Sequence, residues 1–430
     1  MIDKHNFAGY IKHLETQYFC TVSDFVVKML YINEPGISGL EKVVEEDKYL
    51  FGVSENNCCF AVLMPKESRY VASSCVAYRF CTPILVKAKS PKIDDLAYFD
   101  GIEFYGDTVN KIFDPRQAVK HSKADPEVEE ISLENIALMF KPYSDYGKEY
   151  DIVFDGQEAK IECLIYRHIN LAEQRNEDGS ISLGALNSAV RIKFDTPKSL
   201  ELLKRYWLMF NDFLVFLAGR QNIDFGVRLF HKNESDSFLH IADSFFRKSK
   251  GDIYNDKIQK TIQIDELGDK FPKLFKLFTD GTTSSFLRFL PENNKMANRI
   301  SDVDVLNICT AFEIAYGLDK TDDKEKILNN IDEPEFKGKK GNRSILSMKI
   351  WFLCHYVANF FPEDKLSEAK KSIANFVKLR NDITHNGTIG WGNSGLFSRT
   401  LIKVLYVNIL LRAEVDKETA IKITERKWGE

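Results

Sequence analysis

Along the first half of the chain, apolar residues come in short runs that favour extended backbone. Tyr49–Val53, Cys59–Leu63 and Ile84–Lys87 are rich in β-branched and aromatic side chains. Val190–Phe194 alternates apolar and polar positions with period two, as a strand with one buried face should. Tyr150–Phe154 and Ile161–Tyr166 flank Asp155-Gly156, a dipeptide whose access to left-handed backbone suits a tight hairpin. Gly226–Phe230 predicts a further strand. Charged stretches bearing Pro or Gly at 114–130 and 172–180 predict loops. One segment interrupts the strands. Thr196 predicts an N-cap, Pro197 the first helical position and Gly219 the stop of a helix over 196–218, apolar all round and so buried against the sheet.

From about residue 261 the apolar spacing turns helical. Ser301–Tyr316 opens with Ser-x-x-Asp, close to a capping box, and Gly317 predicts its end. Further helices are predicted over 342–361, 362–386 and 394–415. The pattern predicts an α+β protein: a β-rich, sandwich-like N-terminal domain over 1–260, then an all-α bundle over 261–430. The connector from Lys320 to Arg343 holds Lys337, Lys339, Lys340 and Arg343. These are expected as a solvated basic loop, with contact to phosphate as the functional alternative.

Composition narrows the class. In 430 residues, 44% hydrophobic and 28% charged side chains support a sizeable core rather than bulk disorder. The 59 Lys and Arg against 63 Asp and Glu give a net charge of −4, which excludes an obligately basic nucleic-acid coat protein. Residues 261–430 carry a slight excess of positive charge, so a polyanion is expected there if anywhere. The start has charge and no following apolar run, and the longest apolar stretch, Tyr206–Leu217, is broken by Asn211 and Asp212. Neither a signal peptide nor a membrane span is predicted, and a cytoplasmic protein is expected. The eight cysteines form no regular framework and are expected reduced. Cys58, Cys59, Cys75 and Cys81 cluster without a C-x2-C pair, on strand-like sequence; buried free thiols are expected there rather than zinc. Phosphate-loop, zinc-protease and serine-hydrolase motifs are absent from the sequence.

The segment Leu379–Gly387 concentrates the chemistry. The helix leading into it carries an apolar stripe at Leu366, Ala369, Ile373, Phe376 and Ile383, and Arg380 stands where that stripe calls for an apolar residue. An Arg on the buried side is costly unless paired or facing a cleft. Asn381 and His385 are an i, i+4 pair, and Thr384 falls beside Arg380. Asn386-Gly387 predicts a left-handed cap, so the last turn holds a guanidinium and an imidazole on one rigid surface. Arg offers a fixed charge and a planar donor fork for phosphate, and His moves protons near neutrality. The pair suits phosphodiester cleavage without a metal or other cofactor. A second spacing of this kind, Arg116 to His121, has no long amphipathic helix beneath it and is discounted.

Arg380-Asn381-x-x-x-His385 within a C-terminal bundle resembles the R-N-x-x-x-H signature of HEPN ribonucleases. A β-rich domain placed before such a bundle, together with the segments Trp207–Gly219 and Asn307–Gly317, resembles the ApeA-like group of anti-phage proteins. The resemblance implies an abortive-infection effector that cleaves RNA, with tRNA anticodon loops as substrate. It implies attack by the ribose 2′-OH and homodimers paired through the motif helices. His385 is then the general acid/base, Arg380 the phosphate and transition-state stabiliser, and Asn381 the orienting group, with Thr384 in support. Glu313, on a mostly apolar helix, is a candidate partner for Arg380, or else an exposed helix carboxylate. A phage protein is the trigger that the N-terminal domain would sense. A non-catalytic nucleotide-binding or dimerising module is the alternative.

Overall fold

A computed structural model describes residues 6–13, 16–32, 41–43, 46–66, 69–71, 76–89, 96–123, 136–167, 174–175, 181–182, 186–247, 260–280, 284–292, 300–337, 342–386 and 394–428. The chain is α+β, with a large antiparallel sheet in its N-terminal part and a helical region after it. It divides into two compact units. One comprises residues 1–110, 114–208 and 224–251; the other comprises 111–113, 209–223 and 252–430.

The first unit is built on one 13-stranded sheet rather than two separate ones. Its strands are β1 (Phe7–His13), β2 (Thr16–Ser23), β3 (Val26–Tyr31), β4 (Lys48–Ser54), β5 (Cys59–Met64), β6 (Val76–Cys81) and β7 (Ile84–Ala88). They continue with β8 (Tyr98–Tyr105), β9 (Lys148–Phe154), β10 (Gln157–Arg167), β11 (Leu186–Ser199), β12 (Gly226–Lys232) and β13 (Phe238–Phe246). The spatial order is β9-β10-β11-β8-β12-β13-β7-β5-β4-β1-β2-β3-β6. One core gathers Ile11, Cys20, Val27, Leu50, Val62, Phe80 and Leu85. These residues come from β1, β2, β3, β4, β5, β6 and β7, so that run of strands curls about a shared interior.

The hairpin at Asp155-Gly156 forms as its sequence predicts. Phe154 faces Gln157, and φ is +53° at Asp155 and +76° at Gly156, the two left-handed positions that match strand twist. The expected helix start at Thr196 is corrected. Residues 196–199 belong to β11, and Ser199 caps a 3₁₀ turn, Leu200–Leu202, that leads into α2 (Leu203–Ala218). On β8, Phe99 pairs with Lys198 and Gly101 with Lys193, so β11 bulges between these positions. Pro197 sits in that bulge, where a missing N–H removes no ladder bond. The expected loop at 114–130 is also corrected. A 3₁₀ turn, Pro115–Ala118, leads there into the strand Val119–Lys123, which pairs with Ile136–Phe140.

The helices are α1 (Asp107–Ile112), α2, α3 (Ile264–Leu267), α4 (Phe271–Thr279), α5 (Asp302–Leu318), α6 (Lys324–Asn330) and α7 (Ile345–Trp351). The last three are α8 (Leu366–Asn386), α9 (Ser394–Arg412) and α10 (Lys417–Trp428). Ser301 and Asp304 form a reciprocal capping box at the start of α5. That helix runs through Gly317 and ends at Leu318 with an extended Asp319, so the glycine is not the stop. The expected helix over 342–361 is shorter: Ser344 caps α7, and Phe352–Val357 continues as a π-helix.

The apolar helix α2 changes company along its length. Tyr206 meets the rings of Phe99, Phe154 and Phe194, and Trp207 stacks on Phe246 at 4.6 Å. From Met209 onward its residues belong to the helical unit. Phe213 packs against Phe271, Phe275 and Phe278, and Phe216 stacks on Tyr406 at 4.5 Å. A boundary at 260/261 would therefore cut through the helical core, and the expected division is corrected on that ground.

All four final carbonyls of α2 have partners. The Gly219 N–H donates to Val215 at 2.8 Å, and φ of +71° at Gly219 makes this return possible. The Tyr406 hydroxyl donates to Phe216 at 2.7 Å, the Ile262 N–H to Leu217 at 3.0 Å, and Lys427 Nζ to Ala218 at 2.6 Å. Helix ends leave such carbonyls unpaired, and burial without partners would be costly. Among the described residues no helix is long and apolar enough to cross a membrane.

Candidate active site

Helix α8 is held by one face. Ala369, Ile373, Phe376, Val377 and Leu379 are buried, and Phe376 meets Phe397 edge-on. Lys370 pairs with Glu333 at 2.7 Å and helps fix the first half of the helix. Arg380 continues this face and is half-buried, while Asn381, Thr384 and His385 are exposed. The apolar spacing thus carries the helix through the motif and leaves three of its four polar groups in solvent.

Local bonds shape that last turn. Arg380 Nη1 donates to Asn381 Oδ1 at 3.1 Å. The Thr384 hydroxyl donates back to the Arg380 carbonyl one turn earlier at 2.8 Å, which ties that side chain to the helix backbone. His385 makes no hydrogen bond or ion pair among the described residues, so its ring is available. Gly387, the expected cap, lies outside the described residues.

Helix α5 packs beside α8. Burial pushes the Cys309 thiol on α5 up to about 12; the positive charge of Arg380 pulls the other way and Glu313 adds to the rise. Arg380, Cys309 and Glu313 are therefore electrostatic neighbours. Glu313 is exposed, and among the described residues no salt bridge joins it to Arg380. Cys309, which the sequence marks only as a buried thiol, is thus a neighbour of the motif arginine that helical spacing on α8 alone does not reveal.

The basic loop is engaged internally. Lys337 pairs with Asp332 at 2.8 Å, and Arg343 lies 3.4 Å from the same carboxylate and donates to the Asn329 carbonyl at 2.8 Å. Lys337 and Arg343 also form an isolated β-bridge. The hydrogen bond from Lys337, helped by the charges of Lys337 and Arg343, holds Asp332 below the usual carboxylate range. Lys339 and Lys340 lie outside the described residues. The second Arg/His spacing has no common helix: Arg116 is tied to Asp114 at 2.6 Å, and His121 lies on the strand Val119–Lys123. Of the cysteine cluster, Cys59 is buried and Cys58 and Cys81 are partly buried free thiols; Cys75 lies outside the described residues. Among the described residues no three His, Cys, Asp or Glu side chains converge as a metal ion would require.

Fold and site together define a class: an α+β chain whose helical unit ends one long helix in an exposed Arg-Asn-x-x-x-His turn. No family model matches the chain, and neither does any curated protein or solved structure.

Proposed function

We propose that the chain is a metal-independent endoribonuclease of the HEPN type, acting as an abortive-infection effector in anti-phage defence. The observation that carries this reading is the end of α8. A half-buried Arg380, braced by Asn381, stands one turn from an exposed and unpartnered His385. Arg380 offers charge and a planar fork to a phosphodiester. His385 supplies an imidazole that can hand on or take up a proton. In the reaction the ribose 2′-hydroxyl gives its proton to a base as its oxygen attacks phosphorus, the bond from phosphorus to the 5′-oxygen breaks, and the 5′-oxygen takes a proton from an acid. The products are a 2′,3′-cyclic phosphate and a 5′-hydroxyl end. One imidazole serves one of the two proton transfers, so the active unit is a homodimer in which two motif helices line one cleft. A tRNA anticodon loop is the substrate class, and the sheet-bearing unit senses a phage protein.

One observation favours a second reading, a non-catalytic RNA-binding or dimerising module: among the described residues no side chain orients the His385 ring. Purified wild type, Arg380→Ala and His385→Ala proteins incubated with tRNA in EDTA separate the two. Cleavage by wild type alone, leaving 2′,3′-cyclic phosphate ends, supports the enzyme. RNA binding without cleavage supports the module.

A further inference from the structure

The sheet carries a second polar constellation, assembled across strands. Glu149, Glu162, Arg191, Glu103, Arg228, Asp243 and Lys87 stand in cross-strand register on β9, β10, β11, β8, β12, β13 and β7. The adjacent row on the opposite face, Ile161, Ile192, Ile102, Leu229, Ala242 and Ala88, is buried core. Strand alternation explains why the first row is polar, since one face of an antiparallel sheet is commonly wet. It does not explain why the centre of that row is sunk. The Glu103 side chain is fully buried, Glu162 is 9% exposed and Arg191 13%.

The sunken centre is two guanidiniums around one carboxylate. Arg191 Nη2 donates to Glu103 Oε2 at 2.8 Å, and Arg228 Nη1 donates to Oε1 at 3.2 Å. The Tyr166 hydroxyl bonds to both Glu103 and Arg191. Each guanidinium lies over a ring: Arg191 is 4.3 Å from the centre of Phe230, and Arg228 is 3.9 Å from that of Tyr105. Rings beneath and a carboxylate between hold both groups rigid. Their donors are not exhausted. Arg228 Nε is buried and has no hydrogen-bond acceptor; the Asp243 carboxylate is 3.8 Å away. Arg191 Nη1 comes no nearer than 4.0 Å to Glu162, whose other oxygen is bonded to Lys193. A buried donor left open costs free energy, which stapling strands does not repay.

We propose that the Arg191–Arg228 pair is a binding site for a phosphate-bearing small molecule. Phosphate is the acceptor-rich anion that fits two fixed planar forks. Arg228 Nε and Arg191 Nη1 are the donors it would take up, with Lys193 and Tyr105 at the margin. This assignment does not rest on the ribonuclease reading.

Calorimetric titration of the full chain with orthophosphate, pyrophosphate and ATP tests it. At least one is expected to bind. Arg228→Lys keeps the charge beside Glu103 but removes the open Nε donor and the fork, and should weaken binding about tenfold or more. Glu103→Gln withdraws the competing carboxylate charge and should tighten it; a purely structural network predicts no such opposite pair of effects. His385→Ala should leave the affinity unchanged. Binding of ATP alone assigns the site to nucleotides, and binding of all three assigns it to the phosphate group itself. Failure of all three to bind wild type at millimolar concentration overturns the proposal. So does binding that is indifferent to both Arg228→Lys and Glu103→Gln, and if neither variant folds, the wild-type titration still decides.

Discussion

Replacing Lys427 with Met should flatten the pH dependence of stability between pH 6.5 and 8.5. Lys427 is 8% exposed and donates to the Ala218 carbonyl at the end of α2. Burial, with smaller contributions from the charges of Arg426 and Arg220, pulls its ammonium from the ordinary 10.5 down to about 7. The unfolded chain holds that proton up to 10.5, so across the interval from 7 to 10.5 the unfolded state binds more protons and stability rises with pH. At about 1.4 kcal/mol per pH unit, the full penalty below pH 7 is on the order of 4–5 kcal/mol. Between pH 6.5 and 8.5 wild type should regain about 2 kcal/mol of it. Buried thiols such as Cys20 and Cys309, pushed up to about 12, act in the opposite direction above pH 8.5. They are common to both proteins and cancel in the difference. Met also leaves the Ala218 carbonyl without its partner, which costs about 1–3 kcal/mol at every pH. The assay is urea unfolding followed by circular dichroism at 222 nm, at pH 6.5, 7.5 and 8.5. Parallel changes in wild type and Lys427→Met would refute the reasoning, because the slope is then not carried by this amine.

Arg380→Ala and His385→Ala should each abolish tRNA cleavage and cellular toxicity while leaving the protein folded, since His385 is exposed and Arg380 half-buried in the last turns of α8; cleavage by both variants at the wild-type rate would remove the site. Sedimentation at micromolar concentration should find a dimer that a non-cleavable RNA tightens, and a monomer that cleaves at full rate would rule the paired-helix cleft out. Phe213→Ala should destabilise the helical unit by about 3–5 kcal/mol, because it empties a place among Phe271, Phe275 and Phe278; a loss below about 1 kcal/mol in urea would contradict that packing. Tyr406→Phe should cost about 1–2 kcal/mol by leaving the Phe216 carbonyl short of a donor, and an unchanged unfolding midpoint would contradict it.

What the sequence disclosed was local in origin. The Asp155-Gly156 turn, the Ser301/Asp304 capping box and the apolar face of α8 each rest on residues within a few positions of one another. The error at Thr196 is local too: Thr-Pro and Ser199 both offer helix starts, and only the pairing of Lys198 with Phe99 selects the second. The candidate site was half legible. The order Arg380, Asn381, Thr384, His385 follows from helical spacing, but the approach of Cys309 and Glu313 depends on how α5 packs. The Arg191–Arg228 pair was not legible at all. Its members take their meaning from Glu103, which is 88 positions from one and 125 from the other, and no periodicity within a strand reports a neighbour across the sheet.

The closure of α2 also fixes an order of assembly. The Ala218 carbonyl waits for Lys427, and the Phe216 carbonyl, held locally by the Gly219 N–H at 3.2 Å, gains Tyr406 as a second donor; the two side chains lie 209 and 190 positions further along the chain. Contacts of such separation form late and slowly, because the intervening chain must first be confined. Until α10 arrives, the Ala218 carbonyl at the end of α2 has only water to satisfy it. A chain ending before Lys427 would hold the sequence of the Arg380/His385 turn without the final clasp of the helix at its core. A cut between α8 and α10 should therefore loosen α2 well before it disturbs the sheet.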